Sequence, residues 1–237
     1  MSGQFSKRLG TSMPTRITNC FRLSGLDITV HVPLGGALSR SFLGDQVGAD
    51  KSMNEMLRLA EAQRQLGVLV WALFWASFRC LVERDFERAR AFADRTFALS
   101  NEHGFGFWAT AGQASQGAAS VIADPRRAVA LIQNALAKLQ GMLTWHPHYL
   151  CFETEALLRL NQIADARVAV DRALAITASG GVTWWDAELH RIRAAVIRAE
   201  GGGGTAVREA LGRAVAIAEQ QGSETFCRRA VADIGDA

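Results

Sequence analysis

Five short segments of similar sequence recur along the chain at nearly equal intervals, and this repeat constrains the fold more than any other feature. The segments read LRLA, RTFA, NALA, RALA and RAVA. Their last residues are Ala60, Ala98, Ala137, Ala175 and Ala216. The steps between them are 38, 39, 38 and 41 residues. A period of this length is typical of chains built from stacked two-helix units.

A second marker repeats with the same period. A glycine follows each segment, and a large aromatic residue stands four positions after that glycine. The glycines are Gly67, Gly104, Gly141, Gly181 and Gly222. The aromatic residues are Trp71, Trp108, Trp145, Trp185 and Phe226. Because glycine takes the left-handed conformation without steric cost, we interpret each glycine as a helix end and each aromatic residue as the start of the next helix.

Apolar residues follow two of these aromatic residues with a helical period. Trp71 and Trp185 are each followed by apolar residues at offsets of four, seven and eleven, which places them on one helix face. After Trp108 the same positions hold only small residues, beginning with Gly112, so we expect that helix to lie very close to its neighbours. Since an aromatic residue recurs at one place in every unit, we predict that all five belong to the core.

These patterns predict an all-α fold of antiparallel helix pairs. The expected helices span 28–43, 46–66, 68–83, 86–103, 106–122, 125–140, 147–160, 163–179, 184–200, 205–221 and 223–235. Turns are marked by Asp124–Pro125, an N-cap before a proline at the first helical position, and by Gly201–Gly204. Because no pair can bury its apolar face alone, neighbouring pairs must stack, which predicts an α-solenoid of about five repeats plus a capping helix. We expect one domain over 26–237 and a tail or degenerate repeat over 1–25.

Composition and charge exclude several classes of protein. A hydrophobic fraction of 49% and a charged fraction of 21% exclude a disordered chain. The net charge of +3 is no argument for nucleic-acid binding. Acidic residues alternate with the arginines between Arg79 and Arg95, which predicts a solvated face with i,i+4 pairs rather than a basic groove.

The chain shows no membrane or secretory signal. Its most apolar stretch, 66–78, belongs to an uncharged run of 14 residues between Arg64 and Arg79, whereas a membrane span needs roughly 20. We therefore expect a buried helix. No apolar run follows the basic residues of the N-terminus. The cysteines are far apart and form no CxxC pair, which favours free thiols in the cytoplasm. They are Cys20, Cys80, Cys151 and Cys227.

Residue types that bind metal ions occur together at one expected helix start. They are His146, His148, Cys151 and Glu155. The spacing from His148 could put three ligands on one helix face. Structural zinc normally has four close ligands, so we interpret the segment as an interhelix turn containing Pro147. Glu188 and His190 are two residues apart and point to different helix faces, which favours a packing or surface role.

The motifs of two common classes of enzyme are absent. Ser115 in GQASQG is not in the G-x-S-x-G nucleophile elbow, and no strand is expected before it. Gly201–Gly204 lacks the lysine of a phosphate-binding loop and follows a helix. We therefore predict a non-catalytic protein without cofactor or metal. An unrecognised enzyme would need convergent polar groups in a pocket.

Four segments resemble the tetratricopeptide-like C-terminal region of large bacterial signalling ATPases. They are FLGDQ (42–46), NEHGFGFW (101–108), WWDAELHRIRA (184–194) and ALGRAVAIAEQQGS (210–223). The first lacks one residue of the family's Leu-Gly-x-x-Asp-Gln turn. The resemblance covers roughly 26–237 and is weak over 1–25. Proteins of this family often carry an adenylate or guanylate cyclase domain, or a DNA-binding transcription-activator domain, upstream of the repeats.

The resemblance implies a bacterial, cytoplasmic protein of signal transduction with tetratricopeptide-like repeats. This chain holds neither a cyclase nor a nucleotide-binding motif, so we expect a non-catalytic interaction module. Its curved inner face would bind a protein segment, a second copy of itself or the catalytic part of a regulator. The alternative is a small-molecule sensor, since related activators use similar repeats to bind inducers. Neither a membrane nor nucleic acid is an expected partner.

Overall fold

The computed structural model describes residues 28–139, 145–180 and 183–235, which form helices and turns without a strand. The helices are α1 (Ile28–Phe42), α2 (Gln46–Ala62), α3 (Leu66–Glu83), α4 (Phe86–Glu102), α5 (Gly106–Ala119), α6 (Pro125–Lys138), α7 (His146–Arg159), α8 (Ile163–Ala178), α9 (Asp186–Ala199), α10 (Gly204–Gln221) and α11 (Glu224–Gly235). The predicted all-α class is confirmed, and the helix ends lie within four residues of the predicted bounds. The predicted tail over 1–25, Gly141 and Gly181 lie outside the described residues.

The helices begin and end with the local chemistry that the sequence indicates. Three aspartates accept a hydrogen bond from the backbone N–H three residues later and cap α2, α4 and α6. They are Asp45, Asp85 and Asp124. Gly104 and Gly222 have positive φ of 74° and 67° and close α4 and α10. Gly67 differs from the prediction, because it lies inside the first turn of α3 while Arg64 takes the positive φ before it.

The helices form two rows. Each helix packs against the next one along the chain, and the odd-numbered helices also contact one another in succession. The N-terminal end of α11 returns to the C-terminal end of α1, where Thr225 Oγ1 donates to the Ser41 carbonyl oxygen at 2.5 Å. The rings of Phe42 and Phe226 are 5.3 Å apart at the same place. The odd-numbered row therefore winds, so that its end meets its beginning.

Helix α3, the second member of this row, also contacts members that are not its neighbours in the row. The Phe74 ring stacks on Trp145 of the turn before α7 at 4.7 Å, and Phe78 lies 5.1 Å from Trp184, just before α9. The Val82 carbonyl accepts a hydrogen bond from Arg229 of α11. Helix α3 is long and apolar enough to cross a membrane, but most of it is buried inside the protein. Its apolar sequence fits a core helix that is covered on several sides.

Helix α5 packs as closely as its small residues predict. A Cβ atom added to Gly112 would lie 3.0 Å from the backbone nitrogen of Phe97 on α4. A Cβ added to Gly117 would lie 2.8 Å from Ile132 Cγ1 on α6. The absence of side chains at these two positions allows α5 to approach both neighbours.

The expectation of a solvated face at Arg79–Arg95 is wrong at its first residue. Arg79 is 1% exposed and donates to Asp50 at 2.6 Å and to Glu83 at 2.7 Å. Its Nε donates to Ser41 Oγ at 3.1 Å. The segment begins within α3, so its first arginine faces the interior, where acidic partners compensate its charge.

Candidate functional site

The metal-binding residue types of α7 do not converge in the structure. His146 Nε2 lies 3.0 Å from the Leu139 carbonyl oxygen. Glu155 accepts two hydrogen bonds from Arg84, at 2.8 and 2.6 Å. Cys151 is buried and free. Across the described ranges, no group of three or more His, Cys, Asp or Glu side chains is placed to hold a metal ion. These side chains therefore have separate surroundings.

His148 is enclosed by aromatic rings. Its ring centroid lies 4.9 Å from Phe78, 3.9 Å from Tyr149 and 5.7 Å from Trp185. Burial lowers the pKa of His148 to about 3, with a smaller contribution from the charge of His146. The imidazole is therefore neutral near pH 7 and packs as part of the aromatic core.

Glu188 belongs to an ionic cluster that joins α7, α9 and α11 to the turn after α3. The cluster consists of Arg84, Glu155, Glu188, Arg191, Arg229 and Asp233. Arg191 Nη2 lies 2.8 Å from Glu188 Oε1, and Arg229 Nη1 lies 3.6 Å from the same oxygen. The cluster borders a cleft of about 530 Å³. Each member has an oppositely charged neighbour within 4 Å, so we interpret the cluster as structural.

The remaining residues singled out in the sequence have ordinary surroundings. His190 is half-buried, and burial together with Arg213 and Arg193 lowers its pKa to about 4. Ser115 Oγ lies 2.9 Å from Tyr149 Oη in the interior. Gly201–Gly204 forms the turn into α10, with Gly201 at a φ of 80°. The described cysteines, Cys80, Cys151 and Cys227, are free, and Cys20 lies outside the described residues.

Five aromatic side chains on α3, at the start of α5 and just before α7 form a continuous, half-buried group. This aromatic surface consists of Trp71, Trp75, Phe107, Trp108 and Trp145. Trp145 lies centrally, 5.5 Å from Phe107 and 6.2 Å from both Trp108 and Trp75. Trp71 extends the group through Trp75 at 6.3 Å. The Nε1 atom of Trp75 is buried without a hydrogen-bond partner. Aromatic residues are enriched at protein interfaces, so this half-buried group is a candidate binding site.

The prediction that all five repeated aromatic residues belong to the core is therefore only partly right. Trp185 and Phe226 are each 1% exposed. Trp71, Trp108 and Trp145 are half-buried. Burial differs among the five side chains because the row of odd-numbered helices curves back on itself. The later aromatic residues face α1 and α3, whereas the earlier three lie where the row covers them incompletely.

A second concave region, the junction cleft, lies where the last helices meet the first. Its volume is about 640 Å³. It is lined by Ser39, Phe42, Leu43, Thr183, Trp184, Gln221, Gly222 and Ser223. None of these side chains is charged. The Nε2 atom of Gln221 donates to the Thr183 carbonyl at 2.8 Å and joins two of the lining segments. Aromatic and apolar walls with a few neutral polar groups suit a neutral small molecule.

Reasoning from the sequence did not find the junction cleft, because its segments are far apart along the chain. A signal for it was nevertheless present. Three of the four segments that resemble the signalling ATPases contribute to its lining. They supply Phe42, Trp184 and Gln221, respectively. The fourth segment supplies Phe107 and Trp108 of the aromatic surface. The family-like residues thus gather at the two surfaces described above.

Comparison with known proteins gives one partial relative. An uncharacterised protein of Rhizobium meliloti (strain 1021) is 37% identical over 103 residues. The match covers 43% of this chain and 10% of that protein, so the relative is far longer than the matched stretch. No family model matches the chain. No solved structure matches it either.

Proposed function

We propose that the protein is a non-catalytic helical-repeat interaction module, with tetratricopeptide-like helix pairs, that binds a partner protein through the aromatic surface. The observation that carries the proposal is the contiguity of five half-buried rings from α3, the start of α5 and the residue before α7. Tryptophan and tyrosine rings, with arginine, dominate the binding energy of protein interfaces. The partner chemistry that fits is an apolar segment bearing leucine or aromatic side chains.

The position of this surface differs from the expected concave inner face. Rings of α3 meet α7 and the start of α9 across the odd-numbered row, so side chains occupy that space. The aromatic surface lies instead on α3, α5 and the residue before α7, and it includes Phe107 and Trp108 of the segment that resembles the signalling ATPases. That resemblance supports the proposal of a role in cytoplasmic signal transduction, with the catalytic or DNA-binding part of a regulator as the partner.

Replacing Phe107 and Trp108 together with alanine is expected to abolish partner binding while the protein stays folded. Loss of one interface hot spot costs about 2 kcal/mol or more, which is about thirtyfold in Kd. The measurement is crosslinking of the purified chain in native lysate, followed by mass spectrometry. Sedimentation of the chain alone tests self-association.

The matched control is the double variant Val231→Ala and Ile234→Ala, which removes apolar side chains from the exposed face of α11. A partner that is retained by this control and lost by the aromatic variant supports the proposal. A dimer that dissociates only in the aromatic variant identifies the partner as a second copy of the chain. Equal binding by all three proteins would show that the aromatic surface is not the interface.

The junction cleft supports a second candidate function, the sensing of a neutral small molecule. The ring of Trp184 offers a face for stacking, and Ser39, Thr183 and Gln221 offer neutral hydrogen-bonding groups. Sugars and nucleosides combine such a face with several hydroxyl groups. Because the cleft joins α1 to the turns before α9 and α11, a ligand there would hold the first and last helices together.

A neutral sugar or nucleoside that binds the junction cleft is expected to raise the melting temperature in proportion to the logarithm of its concentration. The probes are glucose, maltose and adenosine in a thermal-shift titration. Trp184→Ala removes the stacking face and should abolish the rise, whereas Gln133→Ala, outside the cleft, should retain it. A rise that persists in Trp184→Ala would place the ligand elsewhere, and no rise with any probe would count against the sensor.

A further inference from the structure

A third concave region opens between α6 and α8, with α7 as its floor. This outer groove has a volume of about 630 Å³ and shares no residue with the aromatic surface or the junction cleft. Its lining is mixed. Apolar side chains include Leu136 from α6, Leu150 and Leu157 from α7, and Val168 from α8, and the polar ones are Gln133, Glu153, Gln162, Asp165 and Arg172. Val168 is 67% exposed. A volume of about 630 Å³ is within the range of small-ligand sites.

One buried carboxylate stands on the floor of the groove, while a second one, Asp165, is exposed on its α8 wall. Glu153 is 6% exposed and follows Leu150 by one helical turn. Gln133 on α6 donates its Nε2 hydrogen to Glu153 Oε1 at 2.7 Å. A carboxylate can accept about four hydrogen bonds, so this contact leaves acceptor capacity in the groove.

Glu153 differs from the other buried acid in the described ranges. Glu188 lies within 4 Å of two arginines, whereas no ion pair within 4 Å is formed by Glu153 in this part of the chain. Burial raises the pKa of Glu153, and the Gln133 hydrogen bond and the charge of Arg172 oppose that shift only in part. Burying a charge without a partner is costly, so a cationic group in the groove would find a prepared acceptor.

The groove also offers the opposite charge. Arg172 lines it from α8 and is exposed. In the described ranges its guanidinium makes no ion pair within 4 Å, although its charge acts on Glu153 across the groove. An acceptor for a cation, Glu153, and a donor for an anion, Arg172, therefore line the same groove without forming an ion pair with each other.

We infer that the outer groove binds a free α-amino acid with an apolar side chain. Its ammonium group would donate to Glu153, its carboxylate would accept from Arg172, and its side chain would lie against the leucines of α6 and α7. The two charged groups of an α-amino acid are carried on one carbon atom. An α-amino acid can therefore pair with both Glu153 on α7 and Arg172 on α8, whereas an amine or a carboxylate alone can pair with only one of them.

The test is isothermal titration of the full chain with L-leucine and L-phenylalanine. We expect saturable binding of one molecule per chain. Glu153→Gln keeps the shape of the side chain and should weaken binding at least tenfold, and Arg172→Gln should weaken it at least fivefold. Arg167→Gln is the matched control, because Arg167 lies on α8, pairs with Glu200 and does not line the groove.

Two half-ligands test the role of each charge. Isopentylamine lacks the carboxylate of leucine, and 4-methylpentanoate lacks its ammonium group. Each should bind at least fivefold more weakly than leucine. Lack of binding by both amino acids at 20 mM, on the order of weak-site affinities, would overturn the inference. It would also be overturned if isopentylamine bound as tightly as leucine, or if the Glu153 and Arg172 variants bound as well as the control, provided that their circular dichroism shows intact helices.

Discussion

Replacing Trp185 with alanine is expected to lower the free energy of unfolding by about 3–5 kcal/mol, a large share of the roughly 5–15 kcal/mol that holds a domain folded. The side chain is 1% exposed. Its ring contacts Phe78 at 6.1 Å and Phe226 at 5.1 Å. Removing it leaves a cavity where α3, α9 and α11 meet. Urea unfolding followed by circular dichroism measures the change.

Trp108→Ala is the matched control for this prediction. It removes the same side chain at the equivalent repeat position, but there the ring is half-buried, so less apolar surface is lost from the interior. A smaller loss than in Trp185→Ala is therefore expected. If Trp185→Ala melts at the temperature of the unmodified protein, the assignment of Trp185 to the core is wrong.

Glu188→Gln is expected to cost about 3–5 kcal/mol, because it breaks a buried ion pair from one side. The variant leaves Arg191 and Arg229 facing each other without the carboxylate that both contact. Glu55→Gln is the control, since Glu55 pairs with Arg58 on the exposed surface of α2 and such pairs contribute little. Urea unfolding of both variants at pH 7 measures the difference.

The same residue gives a pH dependence of known sign. Burial alone would raise the pKa of Glu188, but the charges of Arg191 and Arg229 outweigh it and hold the pKa below the ordinary value of 4.5. The unfolded chain therefore takes up this proton at higher pH than the folded chain. The stabilisation is complete above pH 4.5 and is lost as the pH falls through the folded pKa. The Glu188→Gln variant should lose less stability over that interval, and an identical acid profile in both proteins would contradict the assignment.

The periodicity of the sequence predicted local structure well because helices are specified locally. The aspartate caps and the glycine ends at Gly104 and Gly222 depend on residues a few positions away. The small residues around Gly112 predicted the close approach of α5 for the same reason. The period identifies which face of a helix is apolar. It therefore predicts which side chains lie between the two helices of a pair.

The repeat period does not show which helices, distant in sequence, pack against a given helix face. Arg79 is buried because Asp50 and Ser41 come to it from other helices. Trp108 is half-buried because no later helix covers it completely. The outer groove depends on the distance between α6 and α8, and nothing in the sequence around Glu153 marks it as unpaired.

The contacts of α3 with residues much later in the chain also affect how the protein folds during synthesis. During synthesis, Phe74 and Phe78 leave the ribosome long before Trp145 and Trp184, the rings that cover them. Domains with such long-range contacts fold later and expose apolar surface meanwhile. In simple repeat arrays each unit contacts only its neighbours, so units can be gained or lost singly. Here, α3 contacts Trp145, Trp184 and Arg229 of later units, so a helix near the beginning of the chain ties together units that are not neighbours in sequence.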